Sequence, residues 1–222
     1  MIETDKYIPA LRFDWLTTIY DPIVRLTTRE TAFKTALVRQ IKVGPGDRVL
    51  DLACGTGTLA VMVKNAHPKT SVVGIDGDER ILVLAKDKAD KAEVEIEFDR
   101  GLSSQLPYPD ESFDRVVSSL FFHHITRDNK LRTFREVRRV LKPNGELHIA
   151  DWGVPENRLM KFASNGIKLL DGDETTKDNF DGLLASHLTQ AGFQDVTETA
   201  YFNTWFGTIR LQKARVLGDI LR

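Results

Sequence analysis

One run of twelve residues constrains this chain more than any other: Val49-Leu50-Asp51-Leu52-Ala53-Cys54-Gly55-Thr56-Gly57-Thr58-Leu59-Ala60. An apolar strand enters a turn that carries Gly55 and Gly57, and the turn opens a helix. Glycine has no Cβ, so the backbone of such a turn can approach a nucleotide-like ligand closely, while the first turn of the helix presents free N–H groups. Asp76 stands nineteen residues after Gly57, at the end of the next expected strand. A carboxylate placed there can accept hydrogen bonds from both hydroxyls of a ribose.

Two ligand classes share this pattern. Gly55, Gly57 and Ala60 also satisfy the G-x-G-x-x-A form of the dinucleotide fingerprint. Asp51 separates the two readings. In a dinucleotide site the pyrophosphate lies over the glycine turn, and a carboxylate just before that turn would repel it. A ligand carrying an amine or a sulfonium would instead be attracted.

The rest of the chain places this run in an α/β architecture. Val49–Ala53, Ser71–Ile75, Val94–Phe98, Phe113–Leu120 and Glu146–Asp151 read as strands. Helical patterns at Thr58–Asn65, Glu79–Ala89 and Asp128–Leu141 fall between them. Repeated βα units of this length imply right-handed crossovers and a mostly parallel sheet with helices on both faces. Before them, the first 44 residues read as helical, with Tyr20-Asp21-Pro22 breaking one helix from a second at Thr28–Ile41. After them, helices are expected over Arg158–Leu170 and Phe180–Ala191, the latter closed by Gly192. Asp195–Tyr201 and Trp205–Gln212 read as an antiparallel pair at a sheet edge. The chain therefore reads as one domain: an N-terminal helical cap over 1–44, a ligand-binding core over 45–153, a lid insertion over 154–180, and a C-terminal helix and hairpin over 181–222.

Composition narrows the function classes. The 31 basic and 32 acidic side chains nearly cancel, which argues against a general nucleic-acid binder. That balance conceals a local excess: Arg127 to Lys142 carries seven basic residues against two acids, read here as a solvated helix face. With a single cysteine, Cys54, the chain can form no internal disulfide and no multi-thiolate zinc site. No apolar run approaches a membrane span, and the N-terminus does not read as a signal peptide. A cytoplasmic protein acting on a small molecule, without a metal, is expected, as a monomer or homodimer.

Further stretches agree in order with one family. Leu106-Pro107-Tyr108-Pro109-Asp110-Glu111-Ser112-Phe113-Asp114, Ser118-Ser119-Leu120-Phe121-Phe122-His123-His124-Ile125 and Glu136 through Leu147 all take part. Together with the glycine run they resemble the class I S-adenosylmethionine-dependent methyltransferases, most closely the group that includes the ubiquinone and menaquinone biosynthesis enzymes. The likeness covers roughly 44–153. It implies a Rossmann-like, seven-stranded, mostly parallel sheet with an antiparallel C-terminal hairpin, and S-adenosylmethionine as cofactor. Gly55 and Gly57 would then let the turn pass beneath the methionine and ribose. Asp51 would organise the methionine amine with a backbone carbonyl of Ser118 or Ser119. Asp76 would hold the ribose, with Gly77 near the adenine.

The chain departs from the pattern twice. Ala53 stands at the first glycine position and fits if its φ is negative. Leu102 stands where the family often has an acid that accepts from the adenine amine, leaving the Ser103 N–H as a ring contact and Asp99 close by. The loss of one hydrogen bond corresponds to about 1 kcal/mol.

His123 and His124 lie past the fourth strand, at the carboxyl edge where ligands bind in open α/β sheets, and could take a proton from an acceptor. As neighbours on an extended chain they would point opposite ways. Tyr20, in the cap, would offer a ring to the sulfonium. Phe121, Phe122, Trp152, Met160, Phe162, Trp205 and Phe206 gather in the lid zones and suit a partly apolar acceptor. Alkylation of Cys54 would block the cofactor turn. Two rivals remain at this point, an NAD-dependent dehydrogenase and a non-catalytic adenosyl-ligand-binding subunit.

Overall fold

A computed structural model describes residues 28–167 and 172–218. Tyr20 and the rest of the expected first cap helix lie outside the described residues. The five expected strands are all present: β1 (Arg48–Leu52), β2 (Ser71–Asp76) and β4 (Phe113–Ser119) near their expected bounds, β3 (Glu97–Arg100) three residues later and β5 (Leu141–Trp152) starting five residues earlier than expected. Between and around them run α1 (Glu30–Gln40), α2 (Thr58–Ala66), α3 (Glu79–Lys91) and α4 (Arg127–Val140). The chain continues through α5 (Arg158–Ala163), α6 (Asp173–Phe180), α7 (Leu184–Gln190), β6 (Gln194–Thr204) and β7 (Gly207–Arg215).

The seven strands form one sheet in the order β3-β2-β1-β4-β5-β7-β6. β1 pairs in parallel with β2 and β4, β2 with β3, and β4 with β5. β7 is antiparallel to both β5 and β6, as the terminal hairpin expectation requires. β1 is therefore the point where chain progression reverses, from β1-β2-β3 outward on one side to β4-β5 on the other. Right-handed crossovers then send α2 and α3 to one face and α4 to the other. The packing agrees: Phe33, Leu37, Leu59 and Val63 share one core with Val49, while Phe134, Val137, Leu184 and Leu188 share a second with Leu50 and Leu52. The crevice at such a reversal, beyond the carboxyl ends of the strands, is where ligands bind in open α/β sheets.

The expectations fail in four places. The helix expected over Phe180–Ala191 begins only at Leu184, as α7, because Gly182 at φ 77 breaks the chain after α6 ends at Phe180. The helix expected over Arg158–Leu170 is interrupted at Ser164, which buries its side chain and donates to the Lys161 carbonyl, and helical residues resume over 165–167. His123 and His124 sit on a single 3-10 turn, Phe122–His124, not on an extended segment, and their ring centroids are 3.8 Å apart. The basic face of α4 is not wholly solvated: Lys130 is fully buried and donates to the Thr175 carbonyl at 2.6 Å.

Ala53 is the clearest correction. Its φ is +55°, not negative, so the turn after β1 places three alternate residues, Ala53, Gly55 and Gly57, in the left-handed region. Gly55 and Gly57 adopt it freely; an alanine Cβ there collides with its own carbonyl, at about 1–2 kcal/mol. Replacing Ala53 by Gly should relieve this strain and lose part of the gain to unfolded-chain entropy. Chemical denaturation should show Ala53→Gly more stable by up to about 1 kcal/mol. A loss of stability would mean that Ala53 is held there by packing its methyl group.

Candidate active site

β1 delivers Asp51 to the crevice. Alternation along the strand puts it on the same face as Val49, toward α1, and its side chain is 1 % exposed. Its Oδ2 has no hydrogen-bond partner among the described residues. Burial pushes its pKa up to about 7, against the opposing pull of Lys34 and of the Ala60 N–H, while the nearby Asp76 carboxylate adds to the rise. Lys34 is itself buried on α1 and ion-paired to Glu30 one helical turn earlier. A buried carboxylate oxygen without a donor is costly, and a cationic donor arriving from the crevice would remove that cost.

The turn beyond Asp51 is held open from β2. Asp76 Oδ2 accepts from the Gly55 N–H at 3.0 Å, and Oδ1 accepts from the Asp78 N–H at 3.0 Å. Burial raises the Asp76 carboxyl, and these two N–H groups and that of Gly77 oppose the rise. Two bonds leave a carboxylate with acceptor capacity for further donors. The two glycines do different things. A Cβ added to Gly55 would meet nothing within 4 Å, so this position borders open space. A Cβ on Gly57 would lie 3.0 Å from Ala85 and 3.2 Å from Phe98, so Gly57 is what lets α3 and β3 close against the turn. Lys88 of α3 adds a clamp that the sequence pattern did not reveal, donating to Thr56 Oγ1 at 2.7 Å and Thr58 Oγ1 at 2.6 Å.

Cys54 occupies the turn but lies beneath it. It is buried, would touch a Cβ on Gly74 at 3.0 Å, and burial pushes its thiol well above the ordinary value. Reaction requires thiolate and access, so the expectation that alkylation blocks the site does not fit this thiol.

Past β3, Leu102 is 41 % exposed and offers an apolar surface, its carbonyl turned to the Gln105 N–H. The Ser103 hydroxyl is 3.0 Å from that of Thr133 on α4. Asp99 does not stand in for the missing acid, because it accepts from the Tyr108 hydroxyl at 2.8 Å. On β4, Ser118 is buried and donates to the Leu52 carbonyl, which ties the ends of β1 and β4 together, and Ser119 pairs with Ala150 on β5.

The sharpest chemistry follows Ser119. Leu120 takes φ +54°, turning the chain over the sheet edge into the 3-10 turn. There His123 Nδ1 lies 2.6 Å from Asp151 Oδ1, and both side chains are buried. Asp151 Oδ2 also accepts from the Phe122 N–H at 2.7 Å. Burial pushes the Asp151 carboxyl up, but His123 and the Trp152 N–H outweigh it and hold the pKa below the ordinary value. An ionised Asp151 can only accept, so Nδ1 carries the proton and Nε2 is the basic nitrogen of the His123 ring. Burial, and then the charge of His123, drop His124 to about 3, so it stays neutral at physiological pH. The sequence reading named both histidines and missed Asp151, the last but one residue of β5. Its only signal was an acid at the carboxyl end of a strand between apolar neighbours.

α6 closes over this dyad. Asp178 takes a two-pronged bond from Arg127, at 3.1 and 2.6 Å, and lies 3.0 Å from His187 Nε2. Asn179 donates to the Trp152 carbonyl at 3.2 Å. Beyond Asp151 opens a cavity of about 340 Å³ with Asn179, Leu184, Arg210 and Gln212 in its wall. Asn179 Oδ1 and Gln212 Oε1 are buried there without a partner among the described residues. No group of three or more metal-ligating side chains occurs among the described residues.

Known proteins resemble this chain in sequence and fold. A family profile described as a methyltransferase domain matches residues 49–145. An uncharacterized methyltransferase from Synechocystis sp. is 30% identical over 93% of this chain and 93% of its own length. A demethylmenaquinone methyltransferase from Lactobacillus johnsonii is 32% identical over 64% of this chain, a match that spans 60% of that relative. The crystal structure of a SAM-dependent methyltransferase from Aquifex aeolicus superposes with a TM-score of 0.67 at 20% identity, covering 93% of this chain and all of that one. With Asp51 and the open turn at the reversal point of this sheet, and a methyltransferase aligned along nearly its whole length, the chain belongs to the class I S-adenosylmethionine-dependent methyltransferases.

Proposed function

We propose that the chain transfers a methyl group from S-adenosylmethionine to a small, largely apolar acceptor of the quinol type, by in-line displacement. The observation that carries the cofactor assignment is the buried Asp51 Oδ2, without a partner among the described residues, beside a turn whose Gly55 borders open space. These residues fit the group: Asp51 supplies the acceptor its ammonium needs, and a pyrophosphate would be repelled there. Asp76 takes the ribose hydroxyls with its remaining lone pairs, Gly77 and Ser103 flank the adenine, and Leu102 gives the ring an apolar face in place of a hydrogen bond. Ala53 and Gly57 shape the turn, and Ser118 and Ser119 fix the facing strand end. When bound, S-adenosylmethionine supplies a methyl group already activated by its positive sulfur.

The protein then has to align, exclude water and move one proton. His123 Nε2 takes the proton of an acceptor hydroxyl, and Asp151 holds the ring by Nδ1 and stabilises the imidazolium. The deprotonated oxygen, or the ring carbon conjugated to it, is the nucleophile: its bond to the methyl forms as the S–CH3 bond breaks and S-adenosylhomocysteine leaves, and after attack by carbon the ring loses that carbon's own proton, which returns to the phenolic oxygen. His124, neutral and packed against His123, limits water around the pair. The acceptor class rests on the demethylmenaquinone relative and on a 2-phytyl-1,4-naphtoquinone methyltransferase of Synechococcus elongatus, 31% identical over 67% of this chain. The cavity past Asp151 suits such a molecule, with Leu184, Ala185 and Val196 for its apolar part, Glu198 and Arg210 at its polar side, and two side-chain carbonyls that hydroxyl donors would satisfy. In this reading 154–167 and 172–180 belong to the lid over the acceptor.

Calorimetric titration separates this reading from a dehydrogenase: S-adenosylhomocysteine should bind and NADH should not. The affinity should also depend on pH with a definite sign. With its pKa near 7, Asp51 is protonated at pH 6 and ionised at pH 8. The ammonium group needs the ionised form, so the affinity should rise about tenfold from pH 6 to pH 8 in wild type and stay flat in Asp51→Asn. A flat wild-type profile would remove Asp51 from the amine site. For the dyad, His123→Gln should lower kcat by about 10²–10⁴ and Asp151→Asn by at least about tenfold. Both should bind S-adenosylhomocysteine within a factor of about two of wild type. Loss of cofactor affinity together with kcat would show a structural role only.

A further inference from the structure

The carboxyl edge carries large apolar side chains in solvent beside the proposed site. In α5, Met160 packs inward, while Leu159 and Phe162, three residues apart and so on one helix face, are 69 % and 77 % exposed. Trp205, in the turn between β6 and β7, is 78 % exposed. The turn itself is firmly built: Thr204 Oγ1 donates to the Gly207 carbonyl at 2.9 Å and accepts from the Phe206 N–H at 3.1 Å. It is also packed against the end of α5, since a Cβ on Gly207 would lie 3.4 Å from Ser164 Cβ, and one on Gly166 3.7 Å from Phe206. A Cβ on Gly207 would also lie 3.8 Å from the Trp152 ring, at the end of β5. Helix and turn thus form one rim on the edge that carries His123 and Asp151.

Single exposed apolar residues are ordinary, but three large ones on adjoining elements are not. The charges beside them have one sign. Arg158 and Lys161 are exposed and alternate with Leu159 and Phe162 along α5, and the neighbouring acid, Glu156, is bound to Arg210 at 3.0 Å. Leucine, phenylalanine and tryptophan reaching outward with arginine and lysine among them is the chemistry of the boundary between lipid headgroups and acyl chains. The rings enter the boundary, and the cations meet anionic headgroups.

We infer that this rim, Leu159, Phe162 and Trp205 with Arg158 and Lys161, docks the protein on an anionic lipid surface. Its purpose rests on the apolar-acceptor reading: an acceptor dissolved in a bilayer would reach the site from a mouth held against the membrane. The docking itself does not depend on that reading.

The test is flotation of the full chain with phosphatidylcholine vesicles and with vesicles that also contain phosphatidylglycerol. Wild type should partition to the anionic vesicles, less so at high salt. Phe162→Ser with Trp205→Ser should weaken partition at least tenfold, about the factor for losing the burial of one such side chain. Arg158→Gln with Lys161→Gln should abolish the preference for anionic lipid. Both variants should keep the wild-type affinity for S-adenosylhomocysteine, which shows that they fold. The ratio of turnover on a vesicle-embedded quinol to turnover on a water-soluble one should fall in the Phe162/Trp205 variant relative to wild type. Absence of wild-type partition, or partition equal in the Phe162/Trp205 variant, overturns the inference. So does a rim that instead joins two copies of the chain, seen as a dimer by sedimentation that the same variant dissolves. Vesicle binding without methylation of either quinol would overturn the acceptor reading and leave the docking standing.

Discussion

The bond from the Gly55 N–H to the Asp76 carboxylate is the interaction on which the site depends. It joins the turn after β1 to the end of β2, at the point where the sheet reverses direction. Together with the Lys88 clamp and the bond from the Cys54 N–H to the Ile75 carbonyl, it holds three alternate left-handed residues over the strand ends. The same carboxylate holds the Asp78 N–H, which starts α3 in place, and α3 returns Lys88 and Ala85 to the turn. A single acid thus sets the turn, the next helix and the floor of the crevice, and it keeps lone pairs for a ligand. This explains why Asp76 sits part-buried with a raised carboxyl pKa rather than projecting freely into solvent.

The second organising fact is an unmet demand. Asp51 is buried with one oxygen that has no partner among the described residues, while its neighbour across the crevice, Asp151, is buried and fully engaged. Two buried carboxylates at the ends of neighbouring parts of one sheet have opposite pKa shifts because their donors differ. Asp51 has a distant Lys34 and one backbone N–H, and rises. Asp151 has a histidine and backbone N–H groups, and falls. The first is suited to receive a cation, the second to steady one that forms on His123. That division of labour is the physical content of the proposed mechanism.

Much of the fold was legible because its signals are local. The β-branched runs of β1, β2 and β4, the period of α4 and the glycine at 192 each report on their own neighbourhood. The alternation of strand and helix then limits the topology. The site was legible where its residues lie in one run, as Asp51, Gly55, Gly57 and Asp76 do. It was not legible where a partner comes from far along the chain: Asp151 meets His123 across 28 residues, and Lys88 meets Thr56 across 32. Ala53 misled because a small side chain tolerates strain that only the backbone reveals. The start of α7 misled because Gly182, at φ 77, breaks the chain between Phe180 and Leu184, where the periodicity reads a helix from Phe180.

The central claim is that Asp51 waits for an ammonium group and gives up a proton to receive it. Calorimetry of S-adenosylhomocysteine binding at pH 6, repeated in buffers of different ionisation enthalpy, counts protons directly. The account predicts release of about one proton per ligand bound in wild type and none in Asp51→Asn, since a carboxyl with a pKa near 7 is mostly protonated at that pH. Tight binding by wild type with no proton released would contradict it.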